Sequence, residues 1–122
     1  GVISIFCERA VQGLPITIFG DGEQTRDFLY VGDLVQVMVQ ALEQPQVEEG
    51  AVNIGLNQAT SLNQLLVALE KVVGSLPAIS HVAARSGDIR HSRADNQRLL
   101  ARFEFPQATP MVEGLARLLG KS

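Results

Sequence analysis

Apolar residues recur every three or four positions along five stretches of the chain, a spacing that is typical of amphipathic helices. The predicted helices cover residues 2–12, 34–42, 62–73, 96–102 and 110–119. Three shorter apolar blocks have the length of strands. They lie at residues 16–19, 51–55 and 79–83. Helices that alternate with a few short strands predict a small mixed domain of the α/β class.

Local signals predict where several helices begin and end. Gly13, followed by Pro15, ends the first helix as a C′ glycine and a helix breaker do. Three residues stand where N-caps are expected, Asp33, Ser61 and Asp95, and the first two are followed at N3 by Gln36 and Gln64. We therefore expect the second helix to begin at Leu34. One side of this helix is marked by Leu34, Val35, Met38, Ala41 and Leu42.

Two polar stretches follow the first and third predicted strands. Gly20-Asp21-Gly22 predicts a tight turn, because both glycines permit positive φ and Asp21 can accept a hydrogen bond from its own backbone. The second polar stretch covers residues 85–95. Ordered elements on either side of a polar loop can hold a guanidinium in a fixed position for a ligand. Both stretches are therefore candidate binding loops.

One constellation of charged residues joins the two loops: Arg26 in the first, with Arg85 and Asp88 in the second. Two arginines from separate loops can grip a diphosphate from two sides, while a carboxylate accepts from vicinal sugar hydroxyls. Alternatively, Arg26 pairs with Asp27, or Arg85 with Asp88, as surface ion pairs worth about 0–1 kcal/mol. The spacing leaves both interpretations open.

Other chemical motifs are incomplete. Thr25 occupies the third glycine position of a dinucleotide-binding Gly-x-Gly-x-x-Gly, and the residues after it predict extended chain instead of a helix. His81 and His91 have no cysteine or carboxylate near them at metal-ligand spacing. A triad of Ser92, His91 and Asp88 lacks the strained nucleophile turn of serine hydrolases. We therefore predict no catalytic residue, cofactor loop or metal site.

Composition narrows the class of protein. The length of 122 residues, with 46% hydrophobic residues, suits one domain over residues 1–122. A net charge of −3 without a basic run does not favour nucleic acid or an anionic membrane. Cys7 is the one cysteine and falls on an apolar helical face, so we expect it in the core. No membrane-spanning run or signal-peptide pattern is visible, and we expect a cytoplasmic protein.

The two polar stretches, in this order, resemble motifs of the carboxy-terminal part of extended short-chain dehydrogenase/reductases, the NAD-dependent nucleotide-sugar epimerases and dehydratases. The first reads Phe-Gly-Asp-Gly-Glu-Gln-Thr-Arg-Asp-Phe-Leu-Tyr-Val-Gly-Asp, and the second reads Arg-Ser-Gly-Asp-Ile-Arg-His-Ser-Arg-Ala-Asp. The opening Gly-Val-Ile-Ser-Ile-Phe and the later Val-Asn-Ile-Gly fit as well, so the resemblance covers nearly the whole chain. It implies the substrate-binding carboxy-terminal part of a Rossmann-type fold. The chain opens inside a helical pattern, and we expect it to be a piece of a longer enzyme.

The resemblance implies roles for individual residues. Arg26 and Arg85 resemble the family's diphosphate-binding arginines, and Asp88 resembles the acceptor for the ribose hydroxyls. Phe28 is expected to line the same cleft. The edge against which the uracil packs is expected at residues 17–19, with Thr17 and Phe19 as its named members.

Two further acidic residues are implied to be structural. Asp27 is expected to orient the first loop, and Asp33 to cap the second helix.

The chain also departs from the family pattern. The Gly-x-x-Gly-x-x-Gly cofactor turn, the catalytic Tyr-x-x-x-Lys and its accompanying Ser or Thr are absent, and Tyr30 is followed four positions later by Leu34. We therefore expect no cofactor in this chain, and no activity from it alone. The full-length parent is expected to hold NAD, to take a hydride from C4 of the sugar and to return it to the other face.

The two loops look more like those of 4-epimerases acting on UDP-glucose or UDP-N-acetylglucosamine than those of 4,6-dehydratases. The alternatives are a dehydratase or decarboxylase of a related nucleotide sugar, and a non-catalytic nucleotide-sugar-binding or structural domain. The expected partners are a UDP-sugar and the missing amino-terminal NAD-binding part. The parent is expected to be a homodimer.

Overall fold

The computed structural model describes residues 1–46, 49–105 and 107–121. Its elements, in chain order, are α1 (Val2–Gln12), β1 (Ile16–Phe19), β2 (Thr25–Arg26), α2 (Val31–Glu43), β3 (Thr60–Ser61), α3 (Leu62–Val73), β4 (Ile79–Val82), α4 (Gln97–Arg102) and α5 (Met111–Leu118). The mixed α/β class predicted from the sequence is confirmed.

Two small sheets organise the chain. β1 pairs in parallel with β4, and the register sets Ile16 opposite Ile79 and Phe19 opposite Val82. Along β1, Ile16 and Ile18 are buried while Thr17 is exposed, as expected of a strand with one face on the core. β2 pairs in antiparallel orientation with β3. The parallel pairing of β1 and β4 matters for function because it sets the carboxyl ends of both strands at one edge of the sheet.

The core lies between β1 and three helices. Phe6 and Cys7 of α1 and Leu115 of α5 join the leucines of α3 in one buried cluster with the isoleucines of β1. The expected core position of Cys7 is confirmed, and burial raises the pKa of its thiol. Leu69 of α3 is fully buried, so α3 is the central element of this packing.

The predicted ends of α1 and α3 are confirmed. Gly13 adopts a left-handed φ of 69° after α1, and its N–H bonds to the last turn of the helix. At the start of α3, the Ser61 hydroxyl accepts from the N–H of Gln64 at 3.1 Å. The Gln64 side chain accepts from the N–H of Ser61 at 2.9 Å, which completes the capping box.

The predicted start of α2 is wrong. The helix begins at Val31, so Asp33 lies within its first turn and makes no side-chain cap with Gln36. Instead, the buried Asp33 carboxylate accepts from the N–H and the hydroxyl of Thr109, both at 2.8 Å. A tertiary partner that the local sequence does not reveal has taken the place of the cap.

Most of the apolar residues predicted to share one side of α2 are exposed. Val35, Met38 and Leu42 are 49%, 54% and 86% exposed, whereas Val37 is buried. With Val31 and Val39, these exposed residues recur at positions 31, 35, 38, 39 and 42, which lie along one side of the helix. We call this stripe the apolar face of α2.

Two further predictions need correction. Residues 51–55 alternate in burial as a strand would, but they form no strand in the described chain, because no neighbouring backbone pairs with them. The N-cap of α4 is Asn96 instead of Asp95. The Asp95 carboxylate still accepts from the N–H of Gln97 at 3.0 Å, so it satisfies a helix donor from one position earlier.

Candidate functional site

The candidate site lies where two loops leave the same edge of the parallel pair. We call residues 20–30, after β1, the first loop, and residues 83–95, after β4, the second loop. Since the two strands run in the same direction, their carboxyl ends bring the loops together. The candidate residues of both loops therefore meet, although they are far apart in sequence.

The turn that opens the first loop has the predicted geometry. Gly20 and Gly22 adopt φ of 97° and 81°, and the Asp21 carboxylate accepts from the N–H of Glu23 at 2.9 Å. A Cβ on Gly22 would lie 2.2 Å from Oδ1 of Asn63, so a side chain there would displace Asn63. The Asn63 amide donates to the Asp21 carbonyl at 3.1 Å and joins the turn to α3.

Buried and half-buried polar side chains hold the rest of the first loop. The Gln24 amide donates to the Phe19 carbonyl at 2.8 Å. The Asp27 carboxylate accepts from the N–H of Leu56 and from the N–H of Ala94, both at 3.1 Å. Asp27 therefore connects the first loop to the second and to residue 56, in agreement with the orienting role predicted for it.

Backbone bonds connect the two loops directly. The N–H of Thr25 donates to the Arg90 carbonyl at 2.9 Å, and the N–H of Ser92 donates to the Thr25 carbonyl at 3.1 Å. The Thr25 hydroxyl and Nδ1 of His91 share a hydrogen bond of 2.9 Å. The loops thus pair over a short distance as neighbouring strands do.

An ion pair fixes the outer part of the two loops. Both terminal nitrogens of Arg90 donate to the Asp21 carboxylate, each at 2.8 Å. The hydrogen bonds from Arg90, and then the one from the N–H of Glu23, hold the pKa of Asp21 well below its usual range. Sequence analysis missed this pair. The signal that could have revealed it is that each of the two candidate loops carries one of these opposite charges.

The structure brings the predicted residues Arg26 and Asp88 into direct contact. Arg26 donates to the Asp88 carboxylate at 3.0 Å, and the two side chains are 30% and 39% exposed. Arg26 also donates to the Thr25 carbonyl at 2.7 Å. The N–H of Asp88 bonds to the Arg85 carbonyl at 3.3 Å, within a turn that contains Gly87. The ion pair therefore crosses from one loop to the other, unlike either of the local pairs considered from the sequence.

Arg85 lies over an aromatic ring. Its guanidinium carbon is 3.8 Å from the centroid of Phe19, the last residue of β1. Thr17 stands two positions earlier on the same strand, and alternate residues of a strand share a face. Direct contacts thus connect Phe19 with Arg85 and Arg26 with Asp88, and the turn from Arg85 to Asp88 connects the two pairs.

Phe28 follows Arg26 by two positions in the first loop. It lines an apolar cavity of about 490 Å³ whose described lining contains none of the other five predicted residues. Tyr30, Met111 and Leu115 are among the residues that line the same cavity. In the described chain, Phe28 therefore borders an apolar space whose lining does not include Arg26, Arg85 or Asp88.

The residues of the first loop do not fit a dinucleotide cofactor. The turn with Gly20 and Gly22 leads into β2, whereas a pyrophosphate-binding turn opens a helix whose N-terminal amides face the phosphates. Across residues 1–46, 49–105 and 107–121, no group of three or more His, Cys, Asp or Glu side chains is arranged to hold a metal ion. The same ranges include no helix that is long and apolar enough to cross a membrane.

Comparison with known proteins defines the class. The model of the NAD dependent epimerase/dehydratase family matches residues 1–55. The crystal structure of UDP-glucose 4-epimerase with UDP-glucose from Thermotoga maritima superposes with a TM-score of 0.80 at 33% identity. The match covers 94% of this chain and 37% of that one. The fold is therefore that of part of a Rossmann-type extended short-chain dehydrogenase/reductase.

Two relatives found by sequence similarity belong to the same class of enzyme. UDP-glucose 4-epimerase of Mycolicibacterium smegmatis is 34% identical over 96% of this chain and 37% of its own length. UDP-glucuronic acid decarboxylase 1 of Xenopus tropicalis is 34% identical over 97% of this chain and 28% of its own length. Nearly the whole chain is thus similar to part of NAD-dependent nucleotide-sugar enzymes, and its first 55 residues match the NAD dependent epimerase/dehydratase family model. It spans between about a quarter and two fifths of the length of these relatives.

Proposed function

We propose that the chain is the nucleotide-sugar-binding part of an NAD-dependent 4-epimerase acting on UDP-glucose or UDP-N-acetylglucosamine. Residues 1–122 form this domain in the proposal, and it is inactive without the rest of the parent. The relatives support the class, since the similar proteins include UDP-glucose 4-epimerases from two organisms. The chain contributes binding and orientation of the substrate, and the reaction belongs to the rest of the enzyme.

The observation that carries the proposal is the meeting of Arg26, Arg85 and Asp88 at one edge of the sheet. Arg26 is 62 positions from Asp88 in sequence, yet the two side chains touch. Arginine is suited to phosphate oxygens because its planar fork donates two parallel hydrogen bonds. We call Arg26 and Arg85 the diphosphate clamp, and we assign the ribose hydroxyls to the Asp88 carboxylate.

The aromatic and polar edge of β1 completes the proposed site. Phe19 is half-buried beneath Arg85, and Thr17 is exposed on the same strand. We assign the uracil to this edge, since a planar base needs an apolar surface and nearby hydrogen-bonding groups. Phe28 belongs, in the proposal, to the wall of the neighbouring apolar cavity and makes no contact with the diphosphate.

The rest of the parent supplies NAD and covers the apolar face of α2. Two observations support this part of the proposal. The chain spans 37% of the length of the similar epimerase from Mycolicibacterium smegmatis, and the apolar face of α2 is exposed along positions 31 to 42. Exposed apolar stripes of this kind usually mark a surface that another part of a protein covers. The proposed parent is a cytoplasmic homodimer.

Two other functions remain as alternatives. The similarity to a UDP-glucuronic acid decarboxylase favours a decarboxylase or dehydratase of a related nucleotide sugar. A non-catalytic nucleotide-sugar-binding domain shares the same clamp. Incubation of the parent with UDP-glucose, UDP-N-acetylglucosamine and UDP-glucuronate separates these functions. Conversion at C4, loss of carbon dioxide, loss of water and unchanged sugar are four distinguishable outcomes.

Calorimetric titration with UDP and the three UDP-sugars tests the clamp. We expect the double variant Arg26→Ala/Arg85→Ala to lose at least about tenfold in affinity, because hydrogen bonds to charged groups are lost. The matched control is Arg9→Ala/Arg93→Ala, which removes the same charge from two exposed positions. An equal loss of affinity in both double variants would show that binding depends on net charge alone. Unchanged affinity in the clamp variant would overturn the proposal.

A further inference from the structure

Two of the proposed binding groups, Arg26 and Asp88, are paired with each other. Arg26 directs one terminal nitrogen to the Asp88 carboxylate at 3.0 Å and the other to the Thr25 carbonyl at 2.7 Å. In the described chain, Asp88 is the only carboxylate within ion-pair distance of Arg26. A diphosphate therefore meets an arginine that already has an anionic partner.

Arg85 contacts an aromatic ring instead of a carboxylate. Its guanidinium lies on the Phe19 ring, and within the described ranges it forms no ion pair. Stacking on a ring face leaves the edge of the guanidinium available for hydrogen bonds in the plane. A phosphate can thus contact Arg85 without displacing a carboxylate, whereas contact with Arg26 requires that the pair with Asp88 be exchanged.

We propose that the Arg26–Asp88 ion pair is a latch that makes tight binding depend on a ligand with both a diphosphate and a ribose diol. This inference rests on the proposed function. A nucleoside diphosphate offers phosphate oxygens to Arg26 and hydroxyls to Asp88, so both groups exchange one partner for another. Inorganic pyrophosphate or uridine offers only one replacement and leaves the other group without its partner.

The latch acts as a specificity device against fragments of the substrate. Both side chains are roughly one-third exposed, so the pair has the modest strength of partly solvated ion pairs. A pair of that strength lowers the affinity of a one-sided ligand by about three- to fivefold, and it does not prevent the complete ligand from binding.

Two single variants give opposite results if the latch exists. Asp88→Asn releases Arg26 and should raise the affinity for inorganic pyrophosphate by about three- to fivefold. Arg26→Gln releases Asp88 and should raise the affinity for uridine by a similar factor, while it weakens pyrophosphate binding. Each variant should weaken the binding of UDP. Calorimetry on the intact protein that carries this chain measures all three ligands.

Two controls separate the latch from changes in net charge. Asp88→Glu keeps the carboxylate and should not gain affinity for pyrophosphate. Glu23→Gln removes one negative charge from the first loop and keeps an oxygen acceptor for the Asn63 amide. It should gain less than Asp88→Asn, because it does not contact Arg26. Circular dichroism of each variant verifies the fold.

The outcomes distinguish failure of the latch from failure of the proposed function. If Asp88→Asn weakens pyrophosphate binding, Asp88 orients Arg26 for the phosphate and the latch is overturned while the clamp stands. Equal gains in Asp88→Asn and Glu23→Gln overturn the latch as well. If the wild-type protein binds neither UDP nor pyrophosphate, the clamp and the latch are both overturned.

Discussion

At the scale of single residues, Asp21 has a larger role than its position in a turn suggested. Its carboxylate accepts from the N–H of Glu23 and from two nitrogens of Arg90, so one side chain shapes the first loop and holds the second. The folded state favours the ionised carboxylate, and the pKa of Asp21 lies below its usual range. This makes Asp21 the residue whose titration should be visible in the stability of the protein.

We predict that Asp21→Asn removes part of the acid sensitivity of folding. Because the pKa of Asp21 is lower in the folded than in the unfolded chain, its contribution to stability is complete above the unfolded value of about 3.9. It is lost as the pH falls through the folded value. Urea unfolding at several pH values should show wild type more stable than Asp21→Asn at neutral pH, with the difference shrinking below about pH 4.

The control for this prediction is Arg90→Gln, alone and combined with Asp21→Asn. Since both variants break the same pair, the double variant should be less destabilised than the sum of the two. Salt should reduce the difference between wild type and Asp21→Asn, because both side chains are about half exposed. If the stability of wild type and of Asp21→Asn fell in the same way as the pH is lowered, the acid-sensitive contribution would not come from Asp21.

Residue type and order make Arg26, Arg85 and Asp88 candidates for a binding site, but they do not predict which of these side chains touch. The turn at Gly20 and Gly22 follows from backbone preferences. Which carboxylate each arginine contacts depends on the register between two loops, and one-dimensional spacing does not contain it.

At the scale of elements, the anchor of α2 is a tertiary one. Asp33 is buried and accepts twice from Thr109, at the entrance to α5. The carboxylate thereby fixes the start of one helix against the segment that precedes another. Loss of the carboxylate would leave the N–H of Thr109 without its acceptor.

We predict that Asp33→Ala destabilises the protein by about 2–4 kcal/mol, since two hydrogen bonds to a buried carboxylate are lost. Thr109→Ala removes only the hydroxyl donor and should cost about 1 kcal/mol. Chemical denaturation measures both. Gln36→Ala is the matched control: it should change stability by less than about 0.5 kcal/mol, because Gln36 is exposed and completes no capping box. A large loss in Gln36→Ala would restore the cap role that we rejected.

The elements that sequence predicted well are those whose signals are local. The capping box of α3 and the C′ glycine of α1 involve neighbours within four positions. Asp33, by contrast, contacts Thr109, which is 76 positions away, and residues 51–55 have no strand to pair with in the described chain. Local propensity and apolar periodicity describe the secondary structure that a segment favours. Its tertiary partner decides which structure forms.

At the scale of the whole molecule, the sequence pattern and the observed burial of α2 disagree in an informative way. The pattern has the amphipathic spacing of a core-facing helix, yet Val35, Met38 and Leu42 are exposed. In the proposal, the remainder of the parent covers this face. By itself, the 122-residue chain presents the face to solvent.

We predict that the isolated chain self-associates through the apolar face of α2. The variant Val35→Glu/Leu42→Glu should remain monomeric at concentrations where wild type associates, as measured by sedimentation velocity. Val67→Glu is the matched control, because Val67 is an exposed valine on α3, outside this face. The prediction would be wrong if the wild-type chain stayed monomeric at high concentration. It would also be wrong if Val67→Glu reduced association as much as Val35→Glu/Leu42→Glu does.

The pairing of β1 with β4 has a consequence for molecular recognition. All four residues of β4 are exposed, so alternation of burial does little to fix their alignment against β1. A slip by one residue would move the second loop by about 3.3 Å along β1 and change the distance between Arg26 and Asp88. The contacts that oppose such a slip are polar, namely His81 Nδ1 with the Gly20 carbonyl at 2.9 Å and the cross-loop bonds of Thr25. If the proposed function is correct, the same few polar contacts therefore set both the alignment of the strands and the shape of the substrate site.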